Sequence, residues 1–238
     1  MTLHGTPSDD LPAVLDTGRG DVGTLFVSMA MRHPDGLDAD YLRWHTLDHR
    51  PEQHRLSGVR ASMRLVSTPA CRSARATGPG RFDAIDHVMT YFFTDADGLK
   101  GFYRLSDALG DGDRKIALLP PVQRGVYEVQ DKIAAPRIKA GADVLPWWPA
   151  RGVYWMFETA AAAPTADLVD VEGVGGVWSA AGEEGHRVTY CFLDDDPVAV
   201  AERMRPVLEK RWESGDVAPL LAAPFHLVAP YEWDRYVP

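Results

Sequence analysis

Two histidines four residues apart, His45 and His49, open the question of chemistry in this chain. On a helix, residues at that spacing share one face, and Glu52 falls near the same stripe. Paired histidines of this kind can hold zinc, but that arrangement usually has a Glu directly after the first His and a distant third ligand. Thr46 follows His45 here, so the metalloprotease pattern is absent and no metal is expected. Nucleophilic catalysis has no signature either, because no Gly-x-Ser-x-Gly occurs. No Gly-x-Gly-x-x-Gly follows a strand pattern. Gly173 to Gly176 is more simply a tight strand entry, so no dinucleotide cofactor is indicated. What remains is proton chemistry, since His changes charge near neutral pH.

Other side chains could join such a site. His87 and His186 each open a strand-like segment, with Tyr91 and Tyr190 four residues further on. Period-two alternation puts each Tyr on the face of its own His. Arg64 lies in an alternating segment, Val59 to Val66. Trp147, Trp148, Trp155 and Trp178 could wall an apolar pocket, although large aromatics more often form core.

Composition narrows the classes. The chain has 238 residues, 45% apolar and 25% charged, which suits a globular protein with a sizeable core. With 25 Lys and Arg against 34 Asp and Glu, the net charge of −9 argues against a nucleic-acid surface. Cys71 and Cys191 stand alone, which disfavours a disulfide framework and fits a cytoplasmic setting. The first 22 residues read as a flexible lead-in with no signal-peptide pattern. No run of 18 apolar residues occurs, so no membrane span is expected.

The elements that must position these residues follow in order. Thr24 to Arg32 is a strand. Asp38 is a candidate N-cap for a helix through Glu52, which Pro51 should kink or end near Arg50. Val59 to Val66 is a strand, Thr68 to Arg81 a loop, and Ile85 to Thr94 a strand. A helix to about Leu109 stops at Gly110 to Asp113, and Val122 to Ile133 is a fourth strand. Residues 134–151 form a linker. The order then repeats: Gly152 to Thr159, a short helix in Pro164 to Asp170, Val174 to Ala180, His186 to Leu193, a helix over Pro197 to Arg211, and Pro224 to Ala229. His87, Thr90, Tyr91, Phe93 and Asp95 recur as His186, Thr189, Tyr190, Phe192 and Asp194 at one constant offset. The expected fold class is α+β. Two fused ferredoxin-like βαββαβ units, residues 23–133 and 152–238, form an α+β barrel with antiparallel sheets.

Trp44, Asp48, His49, Pro51 and Ser57-Gly58-Val59 together resemble the dimeric α+β barrel superfamily, particularly its EthD-like branch. Ser57 departs from that pattern, where Pro is usual. The second half has no counterpart of this segment. The resemblance implies a pocket between the sheets for a small apolar molecule, often aromatic or polyketide-like. It also implies cofactor-free lyase, isomerase or cyclase chemistry. On it, His49 is the general base, Asp48 orients it, Tyr91 and Tyr190 donate hydrogen bonds, and Arg64 stabilises the enolate oxygen. Trp44, His45, His87, Trp155, Trp178 and His186 complete the substrate-binding set. The alternatives are a cofactor-free or haem-dependent monooxygenase of the same fold, and a non-catalytic binder or stress-responsive protein. In that last reading the Asp-His-Pro element merely ties the helix end to its neighbouring strand. The fold also admits a homodimer.

Overall fold

A computed structural model describes residues 22–111 and 118–238. The lead-in expected over the first 22 residues and the helix stop at Gly112 and Asp113 fall outside them, Val22 excepted. Eight strands close into an antiparallel barrel: β1 (Thr24–Ala30), β2 (Val59–Val66), β3 (His87–Phe93), β4 (Pro121–Ala134), β5 (Gly152–Thr159), β6 (Val174–Ala181), β7 (His186–Leu193) and β8 (Ala218–Leu227). Their order around the barrel is β1-β3-β2-β8-β5-β7-β6-β4. Each half is thus a four-stranded sheet, β4-β1-β3-β2 or β8-β5-β7-β6, with the strand order of a ferredoxin-like unit. The halves join at β4–β6 and at β2–β8.

Alternation within each strand sends one row of side chains inward. Leu25, Val27, Met29, Met63, Leu65, Val88 and Phe92 from the first half meet Trp155, Phe157, Trp178, Tyr190, Phe192 and Phe225 from the second. These large side chains pack the inside of the barrel, where a pocket between the sheets was expected. The outward row lies under helices. In the second half α5 (Pro197–Trp212), capped by the Asp196 carboxylate, lays Val200, Met204 and Leu208 over Tyr154, Met156 and Cys191. Glu158, on the same outer row, is fully buried and takes hydrogen bonds from Arg211 (2.9 and 2.8 Å) and Trp212 (2.9 Å).

The first half is covered differently. A helix starts as α1 (Asp38–Trp44), widens into a π-helical turn (His45–His49) and ends as α2 (Arg50–Gln53). The short α3 (Pro69–Ser73) interrupts the expected loop, and α4 (Gly98–Asp111) lies across the sheet. Asp38 is not the N-cap. Leu37 holds that position, and the Asp38 carboxylate instead accepts from the His33 backbone N–H and bonds His87 Nε2, both at 2.8 Å. Pro51 does not end the helix. Its ring would crowd a regular helical turn and it offers no N–H. The wide turn just before it, closed by Arg50 N–H on the His45 carbonyl, accommodates it. The last strand begins at Ala218 rather than near Pro224. Prolines argue against a central strand, but β8 meets β2 at only two residue pairs, leaving most of one side without a ladder to interrupt.

The constant offset between the two His-Thr-Tyr segments does not align equivalent positions. Phe93 pairs with Thr24 and Val59, as Leu193 pairs with Gly152 and Val174. The neighbouring strands bulge at matching places, so the register relates residues 100 apart. An offset of 99 exchanges the faces of the strand. His87 and Tyr91 therefore point outward under the helices, whereas His186 and Tyr190 belong to the inward row. Tyr190 bonds the Thr90 hydroxyl at 2.7 Å across the barrel. Tyr190→Phe is expected to cost about 1–2 kcal/mol in chemical denaturation, because Thr90 loses its buried partner. Small-molecule binding should be unchanged, and a binding loss without a stability loss would contradict this placement.

Candidate functional site

The cavity with the most chemistry lies outside the barrel, between the outer row of the first sheet and the helices covering it. Phe26, Ser28 and Ala30 of β1, Arg64 of β2, and Met89 and Tyr91 of β3 form its floor. Tyr41, Trp44, His45 and His49 enter from α1 and the π turn, and Phe102, Ser106 and Asp107 from α4. Its volume is about 240 Å³. A cavity of roughly 150 Å³ accepts benzene, so one or two fused rings fit here.

The π turn decides which side chains reach this space. One extra residue in a turn rotates everything beyond it, and such turns often mark functional sites. Here the turn sets His45 and His49 together, ring centroids 5.6 Å apart. His45 is 3% exposed, stacks on Tyr41 and places Nε2 3.5 Å from the Tyr91 hydroxyl. Its Nδ1 is buried with no hydrogen-bond partner. His49 stacks on Trp44 at 5.2 Å, which fixes the plane of its ring. Its Nε2 lies 3.4 Å from the Gln53 amide nitrogen, which also donates to Ser106 Oγ at 3.0 Å. Gln53 is fully buried and its Oε1 has no partner. Turning that amide over would offer the oxygen in place of the nitrogen. Gln53 can thus donate to a neutral His49 or accept from a protonated one.

Electrostatics separates the two histidines' uses. Burial, reinforced by the positive charges of Arg64 and Arg50, holds His45 well below the usual imidazole range. It is a neutral ring at pH 7. Burial also lowers His87, although Asp38 opposes the shift, and raises the Tyr91 hydroxyl. A histidine kept neutral by folding binds fewer protons than it does in the unfolded chain below pH 6.5, so stability must fall as pH drops from there. His45 alone can contribute up to about 1.4 kcal/mol per pH unit on that limb. Thermal melts between pH 7 and pH 5 should show the fall, and His45→Gln should flatten it. An equal slope in both proteins would refute the assignment.

Of the residues singled out from the sequence, Trp44, His45, His49, Arg64 and Tyr91 meet at this cavity. Asp48 is half-buried on the π turn and is not part of the lining. His87 is fully buried beneath α1 on Asp38. Tyr190, Trp155 and Trp178 fill the barrel interior. His186 sits 5.0 Å from Phe157 beside a separate cavity at Arg81, Phe82 and Glu184. Sequence reasoning missed Tyr41, Gln53 and Ser106. The one available signal was Gln53 standing four residues after His49.

Two cofactor classes can be weighed against this geometry. No group of three or more His, Cys, Asp or Glu among the described residues is arranged to hold a metal ion. A tetrapyrrole is larger than the cavity, and His45 and His49 face each other and the pocket's aromatic residues rather than an open plane, so the arrangement does not fit a haem. Both cysteines are buried and free, and no helix among the described residues is long and apolar enough to cross a membrane.

The chain matches no protein-family model and no curated protein. Solved structures of similar fold exist. One, assigned as a chlorite dismutase, is 12% identical over 88% of this chain and 96% of its own, with a TM-score of 0.51. Others are a protein assigned as a monooxygenase from Fusobacterium nucleatum subsp. nucleatum (11% identity, 88% and 94% coverage, TM-score 0.49) and an anthrone oxidase-like protein (13%, 88% and 92%, 0.47). At 12% identity the likeness to the first of these speaks for the α+β barrel fold alone.

Proposed function

We propose that this chain is a small-molecule enzyme of the EthD-like kind. It moves a proton on a small apolar carbonyl compound, aromatic or polyketide-like, in a lyase, isomerase or cyclase reaction that uses no cofactor. The observation that carries this reading is the meeting of His45, His49, Tyr91 and Arg64 at one cavity of ring-compound size with aromatic residues in its wall. His49 is the base. Its imidazole takes the proton from the carbon next to the carbonyl, while Trp44 fixes the ring and Gln53 serves both of its protonation states. The enolate oxygen that forms is held by the Tyr91 hydroxyl and the Arg64 guanidinium. The neutral His45 ring, too weakly basic to compete for the proton, adds a hydrogen bond, as a neutral imidazole can toward a developing oxyanion. Phe26, Met89 and Phe102 exclude water from the reacting face. In this reading residues 23–133 form the unit that carries the site, residues 134–151 a linker, and residues 152–238 the unit that completes the barrel.

The test is deuterium exchange. Enolisable aryl ketones and 1,3-diketones are incubated with the protein in D₂O, and loss of the proton signal next to the carbonyl is followed by NMR. Catalysed exchange in at least one compound that binds supports the reading. Binding with no exchange in any would leave a ligand-binding protein and sink the catalytic one.

A further inference from the structure

Arg64, on the outer row of the first sheet, and Arg211, on the helix over the second, both hold their guanidinium largely out of water, and their surroundings differ. Arg211, over the second sheet, is met by the Glu158 carboxylate on two of its nitrogens, at 2.9 and 2.8 Å. That is the arrangement a buried guanidinium requires, because an uncompensated buried charge is costly. Arg64, under the helices of the first half, is 4% exposed. Among the described residues its guanidinium makes one hydrogen bond, a long one from Nη2 to the Tyr41 hydroxyl at 3.4 Å, and lies 5.4 Å from the Tyr41 ring centre. Its Nε is buried without a partner. Among the described residues no carboxylate forms an ion pair with it.

The neighbourhood deepens the deficit. Arg124 lines the same cavity, and Arg50 is close enough, with Arg64, to depress His45. Among the described residues the one carboxylate in the lining, Asp107, is exposed and makes no ion pair with Arg64. A chain of net charge −9 has thus gathered positive charge into one small cavity. Phe26, Met89 and Phe102 supply an apolar part of its wall.

We infer that this cavity takes a small aromatic carboxylate, whose carboxylate docks on Arg64 as Glu158 docks on Arg211 and whose ring lies against Phe26, Met89 and Phe102. The inference uses the pocket of the proton-transfer reading and narrows its substrate class from neutral carbonyl compounds to acids, for which Arg64 holds the carboxylate and the enolate oxygen is left to Tyr91 and His45. It does not need turnover. A carboxylate oxygen pair matches the planar fork of a guanidinium, and such charge-assisted pairs are about twice as strong as neutral ones.

The experiment compares 2-naphthoate with 2-naphthamide by isothermal titration on the full chain at pH 7.5. The two differ only in the charged group. One naphthoate should bind per chain, about tenfold or more tighter than the amide, as one charge-assisted pair implies. Arg64→Met should remove that preference and leave amide binding within about threefold. Without ligand, Arg64→Met should melt about 3 °C or more above the parent, because it deletes an unpaired buried charge. Equal binding of acid and amide, binding of neither, or a lower melting temperature in Arg64→Met would each overturn the inference. Naphthoate binding with no deuterium exchange anywhere would sink the enzymatic reading and leave this one standing. Exchange on neutral ketones with no preference for the acid would do the reverse.

Discussion

Replacing His49 by alanine is expected to slow deuterium exchange by about 10²- to 10⁴-fold, the usual worth of one positioned general base. Binding of the same ketone should stay within a few-fold, since the ring-shaped space is walled by other residues. His49 is half-buried and packs on Trp44. Its removal should therefore alter stability by no more than about 1 kcal/mol. Partial recovery of exchange on adding free imidazole would identify the missing group as a base rather than a prop. If the alanine variant exchanges at the parental rate, His49 is not the base, and the Asp48-His49-Pro51 element serves only to shape the helix end.

The largest loss of stability is expected far from that site, in Arg211→Met. Glu158 is fully buried and is held by Arg211 and the indole N–H of Trp212. Arg211 is the partner nearer the surface, with 8% of its side chain exposed, and it also donates to the Pro164 carbonyl. An arginine deprived of its carboxylate could swing toward water, whereas a glutamate inside the helix–sheet layer cannot. Removing one partner of a buried pair typically costs about 3–5 kcal/mol. In a chain of this size that is a fall in melting temperature of roughly 10 °C. The same substitution at Arg64 has the opposite expected sign, so the two variants measured side by side isolate the role of the carboxylate. A fall of less than about 3 °C at Arg211 would mean that the Trp212 bond alone satisfies Glu158.

Much of the fold was legible because strands announce themselves by period. The bounds of β5 and β7 coincide with their apolar alternation, and the βαββαβ order of each half led directly to the barrel. The residue-by-residue repeat is misleading in detail. Matching His, Thr and Tyr by type aligned residues that occupy opposite faces, because residue identity carries no information about register. Within the candidate site, Trp44, His49, Arg64 and Tyr91 could be named from chemistry and from the resemblance. Tyr190, Trp155 and Trp178 could not be separated from ligand-facing positions, since both rows of these strands carry apolar side chains. The location of the cavity was hidden for a related reason. Nothing in the residues of β3 says which face meets the other sheet and which meets a helix. The π turn was invisible, although Pro51 marked where a regular helix would fail.

The barrel's two closures are unequal. Strands β4 and β6 pair along six registered positions, while β2 and β8 share only Leu65 with Leu227 and Val66 with His226. A hoop parts at its thinnest join, and local opening follows the fewest backbone bonds. Heat, denaturant or pulling force should therefore part this molecule between β2 and β8 before it loses either sheet. Arg64 stands one residue from that join, its carbonyl accepting from Val228 N–H at 3.3 Å. The order of the guanidinium is thus tied to the state of the clasp, and whatever seats against Arg64 also helps hold the barrel shut.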